Sequence, residues 1–219
     1  MTTTKRVIEK EEWDRKLAEV KVNKEDLNRL VMDYLVIEGY KDAAEKFSIE
    51  SGLKPNVDLE SIQERMHIRS AVHAGDIEAA MERVNDLNPD ILDTNPQLYF
   101  HLQQQRLIEL IRANRVNEAL EFASEELASR GEEQPEFLSE FERTMALLAF
   151  DANASGLANP VSDLLQYAKR QQTAQELNAA ILESQSQERD PKLPSLLKML
   201  VWSQQQLDER MTFPQLEIL

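Results

Sequence analysis

Glycine occurs only five times in 219 residues, at Gly39, Gly52, Gly75, Gly131 and Gly156, and every one is isolated. Between these positions run long stretches rich in Ala, Leu, Glu, Gln and Arg, the residues that give up least in a helix. No segment alternates β-branched residues between turn signals, so no sheet is expected. The spacing predicts an all-α protein in which glycine ends helices. It also removes a class of function, because phosphate-cradling loops need clustered glycines.

The stretch YLVIEGYKDAAEKF, residues 34–47, sharpens the problem. It reads as helix, glycine, helix. Tyr34, Leu35, Val36, Ile37, Tyr40, Ala43, Ala44 and Phe47 give it more apolar surface than so small a helix pair can enclose. Either a second chain or the rest of this one must cover it.

Other boundaries follow from local chemistry. Residues 1–8 are expected to fray, followed by a short amphipathic helix carrying Trp13, Leu17 and Val20. Asn23 is placed as an N-cap, with Asp26 three residues on as a capping-box partner. The helix behind it runs to about Glu38, and Gly39 stands where a left-handed C-terminal residue belongs. The next helix spans about Lys41 to Ser51, stopped by Gly52 and Pro55. Breaks are expected at residues 85–98, with one helical turn at Asp90–Leu92, and at 129–137, 151–160 and 188–194. Asp190 is read as an N-cap and Pro191 as the first helical residue behind it. The final helix carries Leu193, Leu196, Leu197, Leu200 and Leu207 on one stripe, interrupted by Gln204. From Thr212 the chain is expected to be extended.

An internal repeat adds architecture. AGDIEAAMER from Ala74 and ANRVNEALEF from Ala113 align at an offset of 39 residues. Gly75 falls on Asn114, Ile77 on Val116, Ala80 on Ala119, Met81 on Leu120, Ile68 on Leu107 and Val72 on Ile111. Glycine and asparagine are the residues that best tolerate positive φ. Each unit reads as helix, left-handed turn, helix. Periods near 40 suit helical hairpins stacked as a bundle or solenoid.

The formal charge of −15 argues against nucleic acid and anionic membranes as partners, since no basic cluster offsets it. The absence of cysteine removes disulfides, thiolate metal sites and cysteine nucleophiles. The opening MTTTKRVIEKEEW lacks the apolar core of a secretory signal, and no run of about 18 apolar residues is long enough to span a membrane.

No catalytic constellation emerges. His67, His73 and His101 fit no metal-binding spacing and read as packing or surface residues. The pairs Glu125/Glu126 and Glu132/Glu133 read as solvated face. No nucleophile elbow surrounds a Ser or Thr. The expectation is no enzyme activity, no cofactor and no metal. In LYFHLQQQRLIELIR, residues 98–112, three glutamines split two apolar blocks; periodicity allows either one Gln buried against backbone or three exposed.

These pieces together resemble a known family. Residues 25–53 resemble a LisH motif, carried by Leu30, Tyr34, Leu35, Gly39, Tyr40, Ala43, Ala44, Phe47, Glu50 and Gly52. LYFHLQQQRLIEL is similar to a CTLH signature through Leu98, Phe100, Leu102, Gln105, Ile108, Glu109 and Leu110, with Leu107 where the pattern usually has an aromatic. RTMALLAFD, residues 143–151, is similar to the start of a CRA core. This order resembles the small scaffold members of the LisH–CTLH–CRA family, subunits of GID/CTLH E3 ubiquitin ligases.

The resemblance implies an extension at 1–24, LisH at 25–57, CTLH at 58–115, CRA at 116–211 and a tail at 212–219. It implies LisH pairing in a homo- or heterodimer through Leu30, Tyr34, Leu35, Tyr40, Ala43, Ala44 and Phe47. The helix with Leu193, Leu196, Leu197, Leu200 and Leu207 would fold back toward LisH and support the pairing. Residues 59–150 would contact a different subunit. Larger relatives carry SPRY or RING-like domains, for which this sequence has neither the length nor the cysteines. A non-catalytic scaffold is therefore implied, linking RING-type and SPRY-type relatives and an armadillo-type scaffold subunit, in cytoplasm and nucleus. A generic LisH adaptor in a cytoskeletal or nuclear complex is the alternative, and an all-α hydrolase with a carboxylate site the remote one.

Overall fold

A computed structural model describes residues 5–128, 135–150 and 160–215. Helices in chain order are α1 (Lys10–Glu19), α2 (Lys24–Ile37), α3 (Lys41–Ser51), α4 (Leu59–Ala74), α5 (Ile77–Leu87), α6 (Asp90–Asp93), α7 (Pro96–Arg112), α8 (Val116–Phe122), α9 (Pro135–Ala149), α10 (Tyr167–Ser184) and α11 (Lys192–Asp208). A π-helical stretch, Ala123–Leu127, continues α8, and a 3₁₀ turn, Ser162–Leu165, precedes α10. The protein is all-α, as the sparse glycines predict.

One detail departs from the sheetless expectation. Arg6–Val7 (β1) pairs in parallel with Met211–Thr212 (β2), in the register Arg6 to Met211 and Val7 to Thr212. Two-residue strands leave no alternation to read, and their partner lies some 200 positions away in sequence. Residues 6–8 are consequently tied down where fraying was expected.

The helix stops repeat one piece of geometry. Gly39, Gly75, Asn114 and Ser186 all have positive φ, at 81°, 86°, 57° and 56°. At each, the next residue's N–H reaches back to a carbonyl five positions earlier: Tyr40 to Leu35, Asp76 to Ala71, Arg115 to Leu110 and Gln187 to Leu182, at 2.8–3.0 Å. This is the Schellman closure, which satisfies carbonyls that a helix end leaves open. The 39-residue repeat thus reproduces a hydrogen-bond pattern as well as a sequence, with Ala80 and Ala119 both wholly buried.

Helix starts follow the caps. Asn23 Oδ1 accepts the Glu25 N–H at 3.1 Å, Asp76 Oδ1 that of Ala79 at 3.1 Å, and Asn95 Oδ1 that of Leu98 at 3.1 Å. The break expected over 85–98 is shorter: α5 runs to Leu87, α6 is the single anticipated turn, and α7 opens on Pro96. At 188–194 the start shifts by one residue, since Pro191 keeps an extended ψ of 140° and is itself the N-cap. Residues 135–137, assigned to a break, form the first turn of α9, with Phe137 buried. The rest of that break, Gly131, Glu132 and Glu133 included, lies outside the described residues. So do residues 151–159 with Gly156, and 216–219.

The chain forms two compact units. The first contains residues 1–62 and 190–219; the second contains residues 63–189. In the first, Met32, Val36, Ala44 and Ile62 make a small core, flanked by Leu35, Phe47, Val57 and Leu59. Here α11 lies against α2.

The second unit is built around α7. Leu98 and Leu102 join Ile68, Val72, Ile77, Ala80, Val84, Leu177 and Ile181. Phe100 and Leu107 join Ala119, Phe122, Leu127 and Phe137. Ile108 joins Leu147, Val161 and Leu164. One helix therefore contributes to three apolar clusters, which explains why its polar residues are buried too.

Candidate functional site

The polar belt of α7 is an internal brace. All three glutamines are buried, more than either alternative that periodicity allowed. Gln103 Nε2 donates to Tyr99 Oη at 2.8 Å; Gln104 Nε2 donates to Thr144 Oγ1 at 2.9 Å and to the Glu140 carbonyl at 3.3 Å; Gln105 Nε2 donates to Glu109 Oε1 at 2.7 Å. The amide N–H groups offset their burial by donating to partners on α7 itself and on α9.

His101 sits between two carboxylates. Its Nδ1 is 2.6 Å from Glu176 Oε2 on α10, and its Nε2 is 3.5 Å from Glu140 Oε2 on α9. Glu176 Oε1 also accepts from Gln172 at 3.0 Å. Burial pushes the Glu176 carboxyl up, but the hydrogen bond and charge of His101, with Gln172 and Lys169, hold it below the ordinary carboxylate value. The group ties α7 to α9 and α10.

A second brace joins the α4–α5 turn to the same helices. Arg170 on α10 clasps Glu109 on α7 and donates to the His73 carbonyl at 3.0 Å. The His73 ring stacks on Tyr167 at 5.4 Å, with Nδ1 2.9 Å from the tyrosine oxygen. Arg65 is 1% exposed, with Nη1 on Asn178 Oδ1 at 3.0 Å, and burial followed by the charge of Arg69 lowers its pKa to about 10. Sequence reading passed over Arg65. The signal was its place at helical spacing before Ile68 and Val72, on the buried stripe of α4.

Among the described residues, no group of three or more His, Cys, Asp or Glu is placed to hold a metal ion, and no helix is long and apolar enough to cross a membrane. These networks join helices to each other.

The residues singled out for contact fall into three groups. Leu98, Phe100, Leu102, Gln105, Ile108 and Leu110 all lie within or against the interior of the second unit. Within the LisH-like pair, Ala44 is fully buried in the chain's own core, with Leu35 and Phe47 packed against that core; Leu30 and Tyr34 are half-buried, and Tyr40 and Ala43 are exposed. The motif's apolar surface is thus partly covered from within. Third, α11 has no buried residue at all. Leu193 is half-buried; Leu196, Leu197, Leu200 and Leu207 are exposed.

The most exposed large side chains on α11 are two that the leucine stripe missed, Met199 at 61% and Trp202 at 60%. With Leu196 they recur every third residue, a spacing that marks a helical face. Of nineteen exposed large hydrophobic residues among those described, fourteen belong to the first unit. Surface apolar residues are ordinary singly; seven of these nineteen lie together on α11.

Two family models match the chain. A family model described as LisH covers residues 25–51, and one described as CTLH/CRA C-terminal to LisH motif domain covers residues 61–208. The chain is 61% identical over 214 residues to the protein "Protein GID8 homolog" of Arabidopsis thaliana, covering 98% of this chain and 87% of the relative. It is 59% identical over 212 residues to "Glucose-induced degradation protein 8 homolog" of Dictyostelium discoideum, covering 97% and 92%. It is 33% identical over 205 residues to "GID complex subunit 8" of Schizosaccharomyces pombe, covering 90% and 85%. With both models matched in order and near-complete coverage on each side, this chain belongs to the LisH–CTLH family of glucose-induced degradation protein 8 homologues.

Proposed function

We propose that this chain is a non-catalytic scaffold subunit of a GID/CTLH-type E3 ubiquitin ligase, cytoplasmic and nuclear. It holds RING-type and SPRY-type LisH–CTLH relatives and an armadillo-type scaffold subunit in register for transfer of ubiquitin to targets destined for degradation. The single observation that carries the reading is α11, seventeen residues long with no buried side chain, in a member of a family whose relative is named a GID complex subunit. Leu, Met and Trp side chains still about half open to water on one helix gain on association, each contributing on the order of 1 kcal/mol when the remainder is buried. The pairing surface comprises this face together with Tyr40 and Ala43, and the partner is a second LisH-bearing chain. The internal braces keep the second unit stiff, as a subunit that transmits position must be.

The test is affinity purification from the native cells with mass spectrometry, comparing the wild-type chain with Leu196→Asp/Leu200→Asp, whose positions are exposed and whose replacement spares the core. Wild type should recover RING-type and SPRY-type relatives, and the variant should lose a defined subset with its helicity intact by circular dichroism. If wild type recovers neither class, the reading fails, and a generic LisH adaptor takes its place.

A further inference from the structure

The family models leave both ends of the chain unassigned, before residue 25 and after residue 208. The structure brings these segments together. Beyond the β1–β2 pairing, the Ile8 N–H donates to the Thr212 carbonyl at 2.8 Å. Ile8 and Phe213 are both buried. The Trp13 ring on α1 lies 5.2 Å from that of Phe213, inclined by 34°. Lys5 Nζ stands 3.9 Å from Asp208 Oδ1, at the last residue of α11.

Two strands of two residues are too short to persist unaided. What holds them is the apolar plug of Ile8, Trp13 and Phe213, and aromatic pairs in such tilted contact add to simple burial. The position of the plug matters. β2 begins three residues after α11 ends and leads directly into Phe213, and α11 has no buried side chain of its own to anchor it. A helix held mainly by one neighbour, α2, gains most from a fixed end.

We propose that β1, Ile8 and Trp13 form a clasp on Phe213 that fixes α11, making Trp13 and Phe213 positioning residues for the pairing face. The fixing of α11 stands on the contacts above; its consequence for partners rests on the function proposed for α11.

The experiment uses the full chain. Hydrogen exchange read by mass spectrometry compares wild type with Trp13→Ala/Phe213→Ala and with Trp13→Phe, which keeps a ring. In the double variant the peptide covering 192–208 should exchange roughly tenfold faster, as expected of a locally opened element. The α7 peptide should be unchanged, and Trp13→Phe should stay near wild type. Capture is then read with two tagged probes, a second copy of this chain and a SPRY-bearing LisH relative. It should fall by a similar factor in the double variant. Trp202→Asp should lose capture with its α11 exchange unaltered. Wild-type exchange of α11 in the double variant would overturn the clasp. Faster exchange with undiminished capture by both probes would leave the clasp standing and overturn α11 as the pairing face.

Discussion

Arg170 grips Glu109, 61 residues before it in sequence, with two parallel hydrogen bonds, Nε to Oε1 at 2.8 Å and Nη2 to Oε2 at 2.5 Å. The pair is mostly buried, with side chains 19% and 14% exposed. The fork matches the carboxylate, and the same guanidinium reaches the His73 carbonyl. Breaking it by Arg170→Met leaves Glu109 with Gln105 and Arg112 alone. We expect a loss of about 2–3 kcal/mol in urea denaturation. A midpoint equal to wild type would show that the brace does not stabilise the second unit.

The same pair sets a pH dependence. Burial raises the Glu109 carboxyl, but hydrogen bonds from Arg170 and Gln105 and the charges of Arg112 and Arg170 hold it below its ordinary 4.5. A depressed folded-state value contributes stability that is present above the unfolded value and lost as pH falls through the folded one. Glu176 acts with the same sign through His101. Wild type should therefore lose stability steadily below about pH 4.5, and Glu109→Gln should show a shallower slope there, by denaturation at stepped pH.

Gly75 should not tolerate a side chain. Its φ is +86°, and a Cβ would stand 2.7 Å from Arg170 Nη2 and 3.0 Å from Glu109 Oε2. Gly52 has a similar φ of +74° with open space around it. Gly52→Ala should cost the backbone penalty alone, about 1–2 kcal/mol, and Gly75→Ala measurably more. Equal melting-temperature losses would mean that Arg170 moves aside freely.

His73 should titrate low. Burial first, then the charges of Arg69 and Arg170, lower its pKa from 6.5. The folded state resists the proton, so this group's contribution falls away as pH drops below the unfolded value. An imidazole titration followed by NMR should place His73 below its ordinary 6.5. A value at or above 6.5 would contradict the packing of Tyr167 and the two arginines around it.

The helices were legible because their ends are chemical. Gly39 and Gly52, and the pairing of Gly75 with Asn114, mark left-handed stops that few residues fill well, and Asn23 writes a cap. Ser186 carries the same closure without announcing it. Burial was less legible. Periodicity left Gln103, Gln104 and Gln105 open between one buried and three exposed, because their partners include Thr144 on α9 and Thr173 on α10, and Ala44 looks like an outward contact until Ile62 covers it. The leucine stripe of α11 was legible, but Met199 and Trp202, the most exposed large residues of that helix, lie about a third of a turn away with no leucine to mark them. Strand β1 has no local signature, because its partner is distant.

The first compact unit is interrupted in sequence by the whole of the second. On the ribosome, residues 63–189 must all emerge before residue 190 can meet α2. At usual elongation rates the wait is of order ten seconds. During it, α2 stands in water without α11 beside it. A nascent chain in that state is a natural client for chaperones. It is also free to meet another LisH helix pair before its own C-terminal helix arrives, so the order of synthesis bears on which neighbour α2 meets first.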